Sequence, residues 1–274
     1  MVPGQSAPIR NVSDEEIAAY DEAGVVCLRG LIDREWLEYL APAVEAALAA
    51  PGPYGEEYVR DGTGRFFGDL SLWQRHSRFN DFVFQSPAVE IAAQVMRSEK
   101  VNFFYDQLLV KEPGTEEKTP WHQDQPYWAV DGWQVCSVWL PFDRVSKSSC
   151  VQYVRGSHRW GKAYNPHHFI DDSPYENTGL PELPDIDAGP DRYEILSWDL
   201  EPGDCLVFQA MIVHGAPGNQ SLTTRRRAYS TRWTGDDATY TVRRGEVGFP
   251  PEPVPLEHGE SMDCAMFPRV WPRD

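Results

Sequence analysis

The residues with most chemical potential lie in WHQDQPYW, residues 121–128. His122 and Asp124 stand two positions apart, so in an extended backbone both side chains leave one face. A neutral imidazole and a carboxylate are two thirds of a 2-His-1-carboxylate facial set. That set holds a divalent metal on one face of an octahedron and leaves three positions open. The open positions suit a bidentate 2-oxo acid and O2. An HxD by itself is common by chance and reads as a surface histidine beside an aspartate. A third ligand changes that reading. His214 lies in LEPGDCLVFQAMIVHGAPGN, where the EPGD turn launches an apolar strand. The histidine stands at the strand's far end, just before Gly215, aimed into a barrel mouth.

A cation follows. Arg225, Arg226 and Arg227 come eleven to thirteen residues after His214, with room for a turn at GAPGNQ. A guanidinium grips a carboxylate with a two-pronged fork, which suits the distal carboxylate of 2-oxoglutarate. Period-2 geometry puts Arg226 on one face of the returning strand and Arg225 and Arg227 on the other. Gln107 and Lys111, on the strand before the HxD, line the same pocket in this reading.

These side chains need a scaffold, and the second half of the chain reads as one. VNFFYDQLLVK, QVCSVWLPFD, SCVQYVRG, YEILSWDL, DCLVFQAMIVH and RRAYSTRWTG are rich in β-branched and aromatic residues, and most are separated by Gly/Pro turns. That pattern predicts a mainly β sandwich or jelly roll. The first hundred residues are mostly helical. Ser13 and Glu16 form a capping box for SDEEIAAYDEAG, which Gly24 ends, and VVCL follows as a short strand. Asp33 caps DREWLEYLAPAVEAALAA, with Pro42 as a candidate kink, and Pro87 opens SPAVEIAAQVMRS. Residues 51–80 read as Gly-rich loop. The helices are expected on one outer face of the β core. Residues 1–274 then form a single domain: a helical flank over 1–100, core strands over 101–240 and an extended strap over 241–274. Within the core, the acidic, Pro-rich segment 165–192 reads either as a lid or as a solvated excursion.

With these motifs in view, the chain resembles the phytanoyl-CoA dioxygenase family. The resemblance rests on the HxD at His122 and Asp124, on HG-x-x-x-N-x-S at His214, Gly215, Asn219 and Ser221, and on R-x-A-Y-S from Arg226 to Ser230. VRGSH (154–158) resembles the family's GSH turn, and EPGD before the last metal strand also fits. The likeness covers roughly residues 10 to 240. It implies a double-stranded β-helix (jelly roll) with Fe(II) on His122, Asp124 and His214, in which 2-oxoglutarate and O2 give succinate and CO2. The family's 2-oxoglutarate arginine falls on Arg225 by counting and on Arg226 by pattern, and strand register favours Arg226. Trp139 matches a family tryptophan beside the cosubstrate, and Ser137 shares its face. Asp124 stands where related halogenases carry a small residue, so hydroxylation or another C–H oxidation is favoured over halogenation.

Bulk properties narrow the partners. A formal net charge of −17 repels nucleic acid and anionic membranes, and makes a CoA thioester a poor substrate. The one basic cluster, Arg60, Arg65, Arg75 and Arg78, reads as solvated surface. Five cysteines without a CxxC spacing imply no disulfide framework. No signal-like or membrane-spanning apolar run occurs, so a cytoplasmic enzyme acting on a small molecule is the expectation. The alternatives are a cupin-type isomerase or hydrolase that does without 2-oxoglutarate, and a non-catalytic binding protein on the same scaffold. Substrate and oligomeric state are not written in the sequence.

Overall fold

The computed structural model describes residues 1–59, 63–245 and 247–273. Strands are numbered along the chain. The larger sheet runs β1 (Val25–Leu28), β10 (Cys205–Gln209), β7 (Val135–Pro141), β12 (Arg226–Thr234), β4 (Val101–Lys111), β3 (Phe66–Leu70) and β2 (Glu56–Glu57), with β14 (Arg269–Trp271) also on β4. The smaller sheet runs β5 (Thr119–His122), β11 (His214–Ala216), β8 (Gln152–Val154) and β9 (Ile195–Leu196). A two-stranded ribbon pairs β13 (Thr239–Tyr240) with β6 (Val130–Asp131). All of these pairings are antiparallel, and the two sheets make the jelly roll.

The first two helices begin at side-chain caps. In α1 (Asp14–Ala23) Ser13 and Glu16 close the capping box, and Gly24 ends the helix at φ 83°. Asp33 caps α2 (Arg34–Ala49), which continues through Pro42. Together with α3 (Ser77–Gln85) and α4 (Ala88–Met96) these helices cover the outer face of the larger sheet. Trp36, Val44, Phe82 and Ile91 pack there against Leu108, Val138, Tyr229 and Trp233. Side chains of this size contribute ~1.5–3 kcal/mol each when fully buried.

Strand period sorts the central strands into two faces. On β12, Tyr229 and Trp233 meet the helices while Ala228 meets the jelly-roll interior with Trp139, Tyr153, Leu206 and Phe208. Register places Arg226, Ala228, Ser230 and Arg232 opposite Lys111, Leu109, Gln107 and Tyr105 of β4, so these eight share the inner face.

Three expectations need correction. Residues 51–80 are not simply loop: Phe66–Leu70 is a full member of the larger sheet, and Ser77–Gln85 is helical. Gly-rich flanks and the shortness of FFGDL hid the strand. The run from Cys205 to His214 is two strands, not one. The chain turns after Gln209, whose Oε1 accepts the Met211 N–H at 2.6 Å, and crosses to the smaller sheet. Finally, the backbone is extended only as far as His122; Asp124 is helical (φ −73°, ψ −47°) and opens a 3-10 turn.

Phe249 exchanges backbone hydrogen bonds with Tyr127 (2.9 Å) and Ala129 (3.0 Å), and β14 adds to β4. Among the described residues, no helix is long and apolar enough to cross a membrane.

Candidate metal centre and cosubstrate site

The smaller sheet brings the two histidines together. His214 pairs directly with His122 across β11 and β5, and their ring centroids lie 4.2 Å apart. Gly215 permits this approach: a Cβ there would stand 3.0 Å from the Thr119 carbonyl and 3.3 Å from the Trp121 ring. The 3-10 turn then swings the Asp124 carboxylate back, so that Oδ1 is 3.4 Å from His122 Nε2 and 3.8 Å from His214 Nε2. The three residues are buried, and one ligand atom from each lies within 4.8 Å of the others.

Their hydrogen bonds suit a divalent metal. His122 Nδ1 bonds the Pro120 carbonyl at 2.8 Å and His214 Nδ1 bonds the Ile212 carbonyl at 3.0 Å. A carbonyl only accepts, so each Nδ1 carries the proton and each Nε2 keeps its lone pair toward Asp124. Burial, with His122 alongside, pushes His214 down to about 4. Burial opposes ionisation of Asp124, yet His214, His122 and Arg232 outweigh it and hold the carboxyl down to about 2. At neutral pH His214 is therefore a neutral imidazole and Asp124 a carboxylate. Ser137 Oγ approaches Asp124 Oδ2 at 3.4 Å.

The arginines separate by face. Arg226 is buried, and its Nη1 donates to the carbonyls of Ser149 (2.6 Å) and Pro217 (3.4 Å). Lys111 Nζ donates to the same Pro217 oxygen at 3.1 Å and to the Glu117 carbonyl at 2.7 Å. Neither cation has a carboxylate ion-pair partner among the described residues. Burial pulls Arg226 down to about 10; burial, reinforced by Arg226, puts Lys111 well below its usual value. Arg226 and Lys111 thus lie side by side on the Pro217 carbonyl. Asn219 builds the approach by donating to the carbonyls of Lys111, Glu112 and Thr224. Arg225 is not brought to this site. It faces outward, bonded to Glu45 and Glu112, while Arg227 pairs with Asp143 and Glu45.

Two cavities border these residues, one at the candidate centre and one at Arg226. One, of about 570 Å³, reaches Asp124 and Gln107 and is walled by Tyr105, Tyr127, Trp128 and Phe249. The other, of about 510 Å³, is lined by Ser149, Asn219 and Arg226, and Arg225 also borders it. Trp139 is buried in the interior cluster with Tyr153, Leu206 and Phe208. The acidic segment contributes Phe169, whose ring lies 4.7 Å from that of His122, and His167, whose N–H donates to the Tyr127 hydroxyl. His158, in the GSH turn, is no ligand: its Nε2 bonds the Asp21 carbonyl at 3.1 Å. Of the basic cluster, Arg65 and Arg75 pair with Glu57 and Asp69, Arg78 donates to the Tyr39 carbonyl, and Arg60 lies outside the described residues.

The sequence reading passed over Arg232. It sits six residues beyond Arg226 on the same inner face, and the alternation that selected Arg226 also selects it. Phe169 and Phe249 carried no local signal, because they reach the site from segments without regular structure.

A jelly roll with a buried His/Asp/His face at its mouth is the architecture of non-haem iron oxygenases. The model of the phytanoyl-CoA dioxygenase (PhyH) family matches residues 20–228, and the chain belongs to that family. The family's Fe(II), 2-oxoglutarate and O2 come with that membership. A probable phytanoyl-CoA dioxygenase of Caenorhabditis elegans is 24% identical over 54% of this chain, a match that spans 48% of that relative's length. A 1-deoxypentalenic acid 11-beta-hydroxylase of Streptomyces arenae is 25% identical over 74% of each chain. Among solved structures, the non-haem α-ketoglutarate-dependent carbocyclase SnoK of nogalamycin biosynthesis has a TM-score of 0.74 at 20% identity, covering 97% of this chain and 100% of its own. EctD from S. alaskensis with 2-oxoglutarate and 5-hydroxyectoine has a TM-score of 0.69 at 16% identity, covering 95% and 89%.

Proposed function

We propose that this Fe(II)/2-oxoglutarate oxygenase hydroxylates a small organic molecule, with the metal on His122, Asp124 and His214 and the cosubstrate's distal carboxylate on Arg226 and Lys111. The observation that carries the reading is the convergence of three ligand atoms within 4.8 Å beside an inner face whose cations lack carboxylate partners. When bound, the metal and 2-oxoglutarate supply the oxidation, one oxygen atom of O2 going to succinate and the other to a substrate C–H bond. The chain's own residues do the positioning. The Pro120 and Ile212 carbonyls hold the imidazoles in register, and Ser137 steadies Asp124. Phe169 on one side and Trp139 on the other keep water from the centre. In this reading 165–192 is a lid.

The carboxylate at 124 leaves no place for a halide among the protein ligands, which favours hydroxylation over halogenation. The Streptomyces relative's hydroxylase name supports the same outcome. The carbocyclase neighbour keeps ring closure as a second outcome of the same C–H oxidation. The test is a metabolite screen for substrate-triggered succinate release with Fe(II) present. Succinate formed with the wild type and abolished by His214→Ala supports the assignment; full turnover in His214→Ala defeats it.

A further inference from the structure

The acidic segment carries a folded hairpin at its tip. His167 and Pro174 form an antiparallel bridge. The Tyr175 N–H donates to the Pro166 carbonyl at 3.0 Å, and the His168 N–H donates to the Ser173 carbonyl at 2.8 Å. The His167 imidazole braces the hairpin from within, its Nδ1 2.9 Å from the Asp172 carbonyl and its Nε2 2.6 Å from the Glu182 carboxylate. A unit bonded in this way moves as one body, so its place over the metal residues depends on where it is fastened.

Two hydrogen bonds fasten it to the turn that bears Asp124, and both end on the Tyr127 hydroxyl. That hydroxyl donates to the His167 carbonyl at 2.7 Å and accepts the His167 N–H at 2.8 Å. Burial pushes the phenol well above the usual tyrosine range, so it keeps the proton it donates. The Tyr127 N–H donates in turn to the Asp124 carbonyl at 3.0 Å, which closes the 3-10 turn. One residue thus joins the carboxylate-bearing turn to the hairpin. Two positions on from His167, the Phe169 ring lies 4.7 Å from that of His122 and 5.7 Å from that of Tyr127. Ring contacts tolerate a range of offsets, whereas a donor and an acceptor on one backbone residue fix the register.

We infer that Tyr127 is a positioning residue: its hydroxyl holds the 166–175 hairpin in register with the turn of Asp124 and so keeps the Phe169 ring over His122. The inference rests on the oxygenase reading for its meaning, because what the hairpin shields from solvent is the loaded metal.

Tyr127→Phe keeps the ring and removes the hydroxyl. Hydrogen–deuterium exchange is compared between this variant and the wild type in the metal-free full chain. Peptides covering 163–178 should exchange roughly tenfold faster or more in the variant, while those of β4 and β12 stay unchanged. Next, 2,2′-bipyridine is added anaerobically to the complex with Fe(II) and 2-oxoglutarate, and iron withdrawal is followed by the colour of the chelate. Tyr127→Phe should still bind one iron per chain and lose it roughly tenfold faster or more. Phe169→Ala should lose iron as fast. The double variant should stay within about twofold of Phe169→Ala alone, because the hydroxyl acts through that ring. Unchanged exchange over 163–178, or faster exchange across the whole chain, overturns the inference. So does unchanged iron loss in Tyr127→Phe, or effects that multiply in the double variant. Failure of the oxygenase reading looks different: the wild type then gives no visible band with Fe(II) and 2-oxoglutarate, while the exchange contrast over 163–178 remains.

Discussion

The two faces of the same pair of strands have opposite economies. Outward, β4 and β12 present Phe103, Leu108, Tyr229 and Trp233 to the helices, and the buried carboxylate there, Asp106, receives the Tyr229 hydroxyl at 2.5 Å and the Trp73 N–H at 2.9 Å. Inward, one residue along, they present Lys111, Gln107, Arg226, Ser230 and Arg232, with unpaired donors and no ion-pair partner for the cations among the described residues. The outer face is mostly apolar and packs against the helices; among the described residues on that side of the two strands, Asp106 Oδ1 is the one buried oxygen without a partner. The inner face is left short of acceptors, as a site awaiting anions would be. Substitutions on the two faces should therefore fail in different ways.

The largest effect belongs to the metal set. His214→Ala should reduce succinate formation by three orders of magnitude or more while thermal unfolding shows a folded protein, because the residue contributes a ligand rather than core packing. On the inner face, Arg226→Ala should raise the 2-oxoglutarate KM roughly tenfold to hundredfold, since charged hydrogen bonds are worth ~1.5–3 kcal/mol. Arg225→Ala, on the outer side, should change it by less than about threefold, as expected for exposed ion pairs. The reverse ranking would show the strand register to be shifted by one.

The outer face should answer in stability. Trp233→Ala should cost ~3–5 kcal/mol in urea unfolding, with the 2-oxoglutarate requirement of the folded fraction unchanged. Asp106 offers a finer probe. Burial raises it to about 6, against the opposing bonds from Tyr229 and Trp73, so between about pH 4 and 6 the folded chain binds more protons than the unfolded one. Its contribution to stability is present at the acid end of that window and falls as pH rises. Wild type should thus lose on the order of 2 kcal/mol relative to Asp106→Asn across the window, read from unfolding curves at its two ends. A constant gap would mean that the carboxyl is not buried as described.

The sequence exposed much of this because alternation is a local signal. The β core, the caps at Ser13 and Asp33, the separation of Arg226 from its neighbours and the three residues that converge could all be read from residue type and spacing. What escaped was set by tertiary structure. Asp124 reaches the histidines through a 3-10 turn rather than along a strand, and His214 begins a strand of the smaller sheet rather than ending one of the larger. Both routes deliver the side chain to the same place, so the three residues converge although the backbone differs from the expectation. Lys111 was read only as a lining residue, and its sharing of the Pro217 carbonyl with Arg226 depends on a turn 106 residues away. Phe169 comes from a segment whose composition favours loop, and only the packed chain shows its ring against His122.

The central claim is that His122, Asp124 and His214 hold iron beside an anion site for 2-oxoglutarate. Anaerobic addition of Fe(II) and then 2-oxoglutarate, followed by visible absorption, tests it most directly. The account predicts a weak charge-transfer band that saturates at one iron per chain, disappears in His214→Ala and needs roughly tenfold more 2-oxoglutarate in Arg226→Ala. The absence of a band in the wild type, or an undiminished band in His214→Ala, would contradict it.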